Sequence, residues 1–164
     1  MAIYFPNQNI QEIGGGLNLT GGTVVQIQET RSTDSLSVYN YATLNFLMSC
    51  TITPKSASNK ILVYMHVPFR FDSGPLAWSL GQIFLYRPNN SGTQLINGGW
   101  EGGQRNIIHH YEKQYLDSPN STSTQTYSVY CVNYPSGAGT MYVNNALQQN
   151  SDGYAYLRLT EISA

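Results

Sequence analysis

The stretch Ile61-Leu-Val-Tyr-Met-His-Val-Pro-Phe-Arg-Phe71 has the composition of a β-strand and is apolar on both faces. Successive strand residues point to opposite sides. One parity collects Ile61, Val63, Met65, Val67, Phe69 and Phe71, and the other collects Leu62, Tyr64, His66 and Pro68. The stretch from Tyr154 to Ile162 behaves alike: Tyr154, Tyr156, Arg158, Thr160 and Ile162 alternate with Ala155, Leu157, Leu159 and Glu161. A strand with one wet face alternates more cleanly. The outer face therefore needs a second cover, and a symmetric contact with further copies of the chain is the simplest one. Tyr154, Tyr156, Leu157, Ile162, Tyr64 and His66 are the residues expected at that contact.

Outward from these two stretches, the chain reads as short β-rich runs divided by turn chemistry. Strands are expected near residues 23–29, 42–52, 60–71, 78–87, 93–97, 104–116, 124–134, 140–144 and 154–162. Between them lie turn-forming segments such as Pro88-Asn-Asn-Ser-Gly92, Asp117-Ser-Pro-Asn120 and Asn150-Ser-Asp-Gly153. No segment carries a helical stripe. This pattern predicts an all-β sandwich or barrel over residues 23–164. Cys50 and Cys131 fall inside strand runs and are expected as buried small hydrophobes. A disulfide between them requires the fold to bring their strands together.

Composition narrows the function. The chain has 164 residues, enough for one domain with a real core. Only 10% are charged, against about 25% in an average soluble protein. With a net charge of −1 and eight scattered basic residues, no phosphate-tracking surface can be assembled, so nucleic acid is not an expected partner. No apolar run of about 18 residues is available to cross a membrane. Met1-Ala-Ile-Tyr-Phe-Pro-Asn7 has neither the basic start nor the apolar stretch of an export signal, which predicts synthesis in a cytoplasm.

Residues 1–22 differ from the remainder: Gly14-Gly-Gly16 and Gly21-Gly22 separate isolated apolar side chains. This reads as an extended N-terminal arm, either a poorly ordered tail or a segment ordered by a partner. In the second case Ile3, Tyr4, Phe5, Ile10 and Ile13 are its anchors.

Catalytic and metal motifs are lacking. The chain has no nucleophile elbow, P-loop or His-Glu-x-x-His sequence. His109 and His110 are adjacent, so on a strand only one joins any given site, and no His or Cys partner lies at ligand spacing. No metal and no cofactor are expected. The four aspartates, Asp34, Asp72, Asp117 and Asp152, are expected in loops. The chain does not read as an enzyme. Recognition is the remaining chemistry, because exposed aromatic rings beside amides bind sugars. Trp100, Tyr111, Tyr39 and Tyr41 are candidates for contact with a glycan or partner, and filling core or interface is the competing role for each.

Four phrases stand out in order along residues 23–164. They are Ile52-Thr-Pro54-Lys-Ser with Ser58-Asn-Lys60-Ile-Leu-Val63, then Tyr115-Leu-Asp-Ser-Pro119 with Thr126-Tyr127-Ser-Val129, then Met141-Tyr-Val-Asn144 and Leu159-Thr-Glu-Ile162. Together they resemble a family of small β proteins found in tailed, especially marine, bacteriophages. The resemblance implies a jelly roll of the tumour necrosis factor and complement globular-head type, packed as a homotrimer around the C-terminal strand. It also implies a virion role: capsid decoration or head fibre attached through the N-terminal arm to a capsid or tail protein. A tail-fibre knob that binds host surface glycans is the alternative. No catalytic residues are carried over.

Overall fold

The computed structural model describes residues 22–39, 43–71, 79–88, 92–98, 101–103, 108–134, 140–144 and 154–164. The expected anchors Ile3, Tyr4, Phe5, Ile10 and Ile13 lie outside them, as do Tyr41 and Trp100. The described residues contain no α-helix and eleven strands. These are β1 (Val24–Ser32), β2 (Leu36–Val38), β3 (Asn45–Ile52), β4 (Lys60–Phe71), β5 (Ser79–Arg87) and β6 (Thr93–Ile96). They continue with β7 (Glu101–Gly103), β8 (His109–Asp117), β9 (Gln125–Tyr134), β10 (Met141–Val143) and β11 (Ala155–Ile162).

All pairings are antiparallel and fall into two sheets. On one side of β4, β11 pairs with Lys60–His66 and β10 pairs with Phe69–Phe71, so β10 and β11 lie end to end. β1 and β2 continue them outward in the same way, and β8 takes the other side of β4. In the second sheet β6 and β7 lie end to end along β5. Taking each such pair as one interrupted strand leaves eight strands, four per sheet. Numbered in chain order, one sheet runs first, eighth, third, sixth, and the other runs second, seventh, fourth, fifth. That connectivity is a jelly roll. The chain is thus an all-β, two-sheet antiparallel sandwich.

The core between the sheets follows from strand parity. Ile61, Val63, Met65, Val67, Phe69 and Phe71 of β4 face inward and are buried, meeting Tyr127, Val129 and Cys131 of β9 and Ile83 and Leu85 of β5. Both cysteines are buried and free. Burial pushes the Cys131 thiol up to about 12, which keeps it protonated and inert.

Three buried polar groups fasten the strand ends. Glu161 is fully buried at the end of β11 and accepts hydrogen bonds from Asn59 Nδ2 (2.6 Å), Gln26 Nε2 (2.6 Å) and the Lys55 backbone N–H (2.7 Å). It thereby ties the Thr53–Asn59 turn and β1 to β11. Burial alone pushes its carboxyl upward, but the bonds from Asn59, Gln26, Lys55 and Ser56 outweigh it and hold the pKa below the usual 4.5. Asp117 is not in a loop, as expected from sequence, but is the buried last residue of β8. It accepts from the Tyr127 hydroxyl (2.7 Å) and pairs with Arg87, which joins the two sheets. Asn144, at φ 60°, accepts from the Ala155 N–H (2.8 Å) and donates to the Asp34 carbonyl (3.0 Å). It spans the β1–β2 and β10–β11 interruptions of the first sheet, and asparagine tolerates this left-handed conformation better than most residues.

The expected strands recur with two additions and one shift. β2 and β7 have three residues each, too few to show a period. Glu101-Gly-Gly103 has no strand propensity and pairs only because it lies along β5. The strand expected near 104–116 spans His109–Asp117.

Glu161→Gln places an amide N–H against donors and is expected to cost about 3 kcal/mol, lowering the melting temperature by roughly 6–12 °C at neutral pH. Because the folded pKa is depressed, the stability from Glu161 is present above pH 4.5 and lost as pH falls through the folded value. Calorimetric melts should therefore show the gap between wild type and variant narrowing in acid.

Candidate functional site

The outer face of the β1–β11–β4–β8 sheet holds most of the residues expected at an intersubunit contact. Strand register lays them out in rows. Ile27, Thr160, Leu62 and Leu116 form one row across the four strands. The next is Glu29, Arg158, Tyr64 and Gln114, followed by Arg31, Tyr156, His66 and Glu112. Val24 and Ile162 lie beyond the first row, and Pro68 and His110 beyond the last.

The rings at the centre touch one another. Tyr156 lies 5.4 Å from Tyr64, 5.2 Å from His66 and 6.0 Å from Tyr154, centre to centre. The Arg158 guanidinium stands 5.8 Å from the Tyr156 ring and that of Arg31 5.1 Å from Tyr154, in reach of cation–π attraction. Glu29 is held below the usual carboxylate range, chiefly by its bond from Arg31 and also by Arg158. The Tyr64 phenol is pushed well above its ordinary value, first by its hydrogen bond with Tyr156, then by burial and Glu112.

His66 and His110 meet at this edge. His66 Nε2 and His110 Nδ1 are 3.0 Å apart, with ring centres 5.2 Å apart and planes inclined by 13°. The centre-to-centre distance is about the nitrogen separation plus the two ring radii. The rings therefore meet edge to edge in an N–H···N bond and do not stack face to face. Burial and the neighbouring His110 lower the pKa of His66, against the opposing pull of Glu112. The partner that spacing did not reveal for His110 comes from another strand through the β4–β8 pairing. His109 points the other way, against Phe69.

Apolar side chains continue the face toward one end. Ile27 is 54% exposed and Leu116 is 50% exposed, beside half-buried Leu62 and Ile162. Sequence reasoning did not place Ile27, Leu116, Arg158 or His110 at this contact; the strand register brings them together.

Tyr154, Tyr156, Tyr64 and His66 thus fall in one cluster, with Ile162 on the same face. Leu157 does not: its opposite parity puts it in the core between the sheets, fully buried. Tyr111 is likewise misplaced as a surface contact, because it faces inward from β8 and is only 2% exposed. Tyr39, at 70% exposed, is open to a partner. The opposite face of the sandwich has a smaller aromatic cluster of Phe84, Tyr86 and Tyr130, with Val132 packed against it.

No protein-family model and no curated protein matches the chain. Solved structures do. A structure of infectious bursal disease virus, Gx strain, is 13% identical with a TM-score of 0.49, over 87% of this chain and 39% of that one. The chain thus spans about two-fifths of the viral chain it matches. Bacillus endospore appendages that form disulfide-linked pili are 10% identical with a TM-score of 0.36, covering 85% of this chain and 92% of theirs. The C-terminal family 22 carbohydrate binding module of Clostridium thermocellum Xyn10B is 14% identical with a TM-score of 0.37, over 84% and 86%. These likenesses concern β architecture and carry no function to this chain.

The assigned positions of two tyrosines can be checked by thermal melts. Tyr111→Ala is expected to cost about 3–5 kcal/mol as a core truncation, and Tyr39→Ala no more than about 0.5 kcal/mol.

Proposed function

We propose that this chain is a non-enzymatic structural protein of a virion. In this reading it assembles as a homotrimer through the outer face of the β1–β11–β4–β8 sheet. It is displayed on a tailed bacteriophage particle as a capsid decoration or head-fibre protein, attached through residues 1–22.

The observation that supports it most is the makeup of that face. A solvated sheet face ordinarily shows polar side chains on the strands next to its buried face. Here the central rows carry Tyr156, Tyr64, His66 and Leu62, flanked by exposed Ile27 and Leu116. Aromatic residues and arginine are enriched at protein interfaces, and Arg31 and Arg158 sit against Tyr154 and Tyr156. A second copy of the chain supplies the cover that the doubly apolar strands require.

The low charge content of the chain suits packing between copies. The two carboxylates that are buried among the described residues, Asp117 and Glu161, are engaged in fastening strands, which leaves neither for acid–base work. The phage setting and the threefold symmetry rest on the resemblance of the four sequence phrases.

Two experiments test the proposal. By light scattering, the full-length chain should have the mass of three copies, and Tyr156→Ser should shift it to monomer. A variant that keeps the wild-type mass and melting temperature would contradict the assembly face. Deleting residues 1–22 should abolish attachment to particles and leave the trimer mass intact, whereas a truncated chain that still binds particles would contradict the anchoring role.

A further inference from the structure

The outer face holds two imidazoles that meet nitrogen to nitrogen, and aromatic packing alone does not require this. His66 Nε2 and His110 Nδ1 are 3.0 Å apart and share one N–H···N bond. Such a bond holds a single proton, so one facing nitrogen donates and the other must keep its lone pair. A first added proton can enter at the outer nitrogen of the donating ring and leave the bond intact. A second can enter only at the accepting nitrogen. It then leaves two imidazolium N–H groups aimed at each other.

We propose that this pair makes the contact between copies acid-labile: the assembly holds at neutral pH and comes apart when both imidazoles are protonated. The proposal rests on the assembly reading of the same face. In a separate chain His110 is exposed, so its ring can turn into water and both rings can carry charge. Beneath a second copy that escape is closed, and two like charges at hydrogen-bond distance are desolvated together. The assembled form therefore binds fewer protons than separate chains do, and acid favours dissociation.

The groups around the pair set the window. Burial and the neighbouring His110 disfavour charge on His66, whereas Glu112, 3.9 Å from its Nε2, and the Tyr154 backbone favour it. From β11 the Tyr156 ring packs on His66, with Arg158 against that ring. Arg31 of β1 ends the same row, and both arginines are paired with Glu29. Tyr64 and Pro68 flank His66 on β4 itself. Glu29 and Glu161 are both held below the usual carboxylate range, so neither gains a proton in mild acid. Histidine is the side chain that ordinarily changes charge between about pH 8 and pH 5. The third histidine, His109, lies on the other side of its strand against Phe69.

Sedimentation velocity of the full-length chain between about pH 7.5 and about pH 5 tests the proposal, with circular dichroism at each pH to follow the fold. Wild type is expected to sediment as the assembly at the upper limit and to dissociate, still folded, toward the lower one. The concentration of half dissociation should rise at least roughly tenfold. His110→Gln should keep the assembled mass throughout, because an amide can donate or accept and so partners His66 in either charge state. His109→Gln should dissociate as wild type does. A wild type that stays assembled at about pH 5 overturns the proposal and leaves the assembly reading standing, whereas a monomer at about pH 7.5 overturns both. Equal acid dissociation in wild type and His110→Gln also overturns it, as does dissociation that occurs only with loss of the β spectrum.

Discussion

The buried carboxylate of Glu161 sets the condition on which the outer face depends. It sits at the end of β11 and takes hydrogen bonds from β1 and from the turn between β3 and β4. Those bonds exist only in one alignment of β11, since a slip of one residue would turn Glu161 out to solvent. The same alignment puts Leu157 and Leu159 in the core and Tyr156 and Arg158 outside. A charge buried without its partners costs several kcal/mol. Register is therefore specified by a polar group as well as by the apolar pattern.

β4 converts that alignment into a surface. It pairs with β8 along nearly its whole length on one side and with β11 and β10 on the other. Residues from sites far apart in sequence thus fall into rows, with His66 and His110 as one outcome. The resulting face is neither a wet sheet surface nor a closed core. Its rings are half-buried against one another and its apolar end is open, which is the state expected of a surface that another protein completes.

Strand parity made much of the fold legible. The inward set of β4, from Ile61 to Phe71, could be read directly because a buried strand in a sandwich repeats every second residue. The four tyrosine and histidine positions of the outer face followed from the same alternation. Leu157 did not, because both parities of β11 are apolar and only the sheet opposite decides which is inward. Tyr111 failed for a related reason: it lies within the strand expected near 104–116, and only the pairing of that strand with β4 shows which of its faces is inward. Partners in space were not legible. Asp117 looked like a loop residue because Ser-Pro follows it, and its bonds to Tyr127 and Arg87 depend on how the two sheets stack. The phrases that carry the family resemblance contain Glu161, Asp117, Tyr127 and Asn144, the residues that fasten the strand ends. What they report is therefore chiefly architecture.

The most direct test of the account is the solvent reactivity of Tyr64 and Tyr156, measured by hydroxyl-radical footprinting across a dilution series of the full-length chain. Tyr39, exposed in the single chain, serves as the internal reference. If copies of the chain cover this face, Tyr64 and Tyr156 will be protected at high concentration and will gain reactivity on dilution, with Tyr39 constant. Reactivity that is the same at every concentration, at the level of half-buried side chains, would mean that the face is open and that the account of its aromatic composition is wrong.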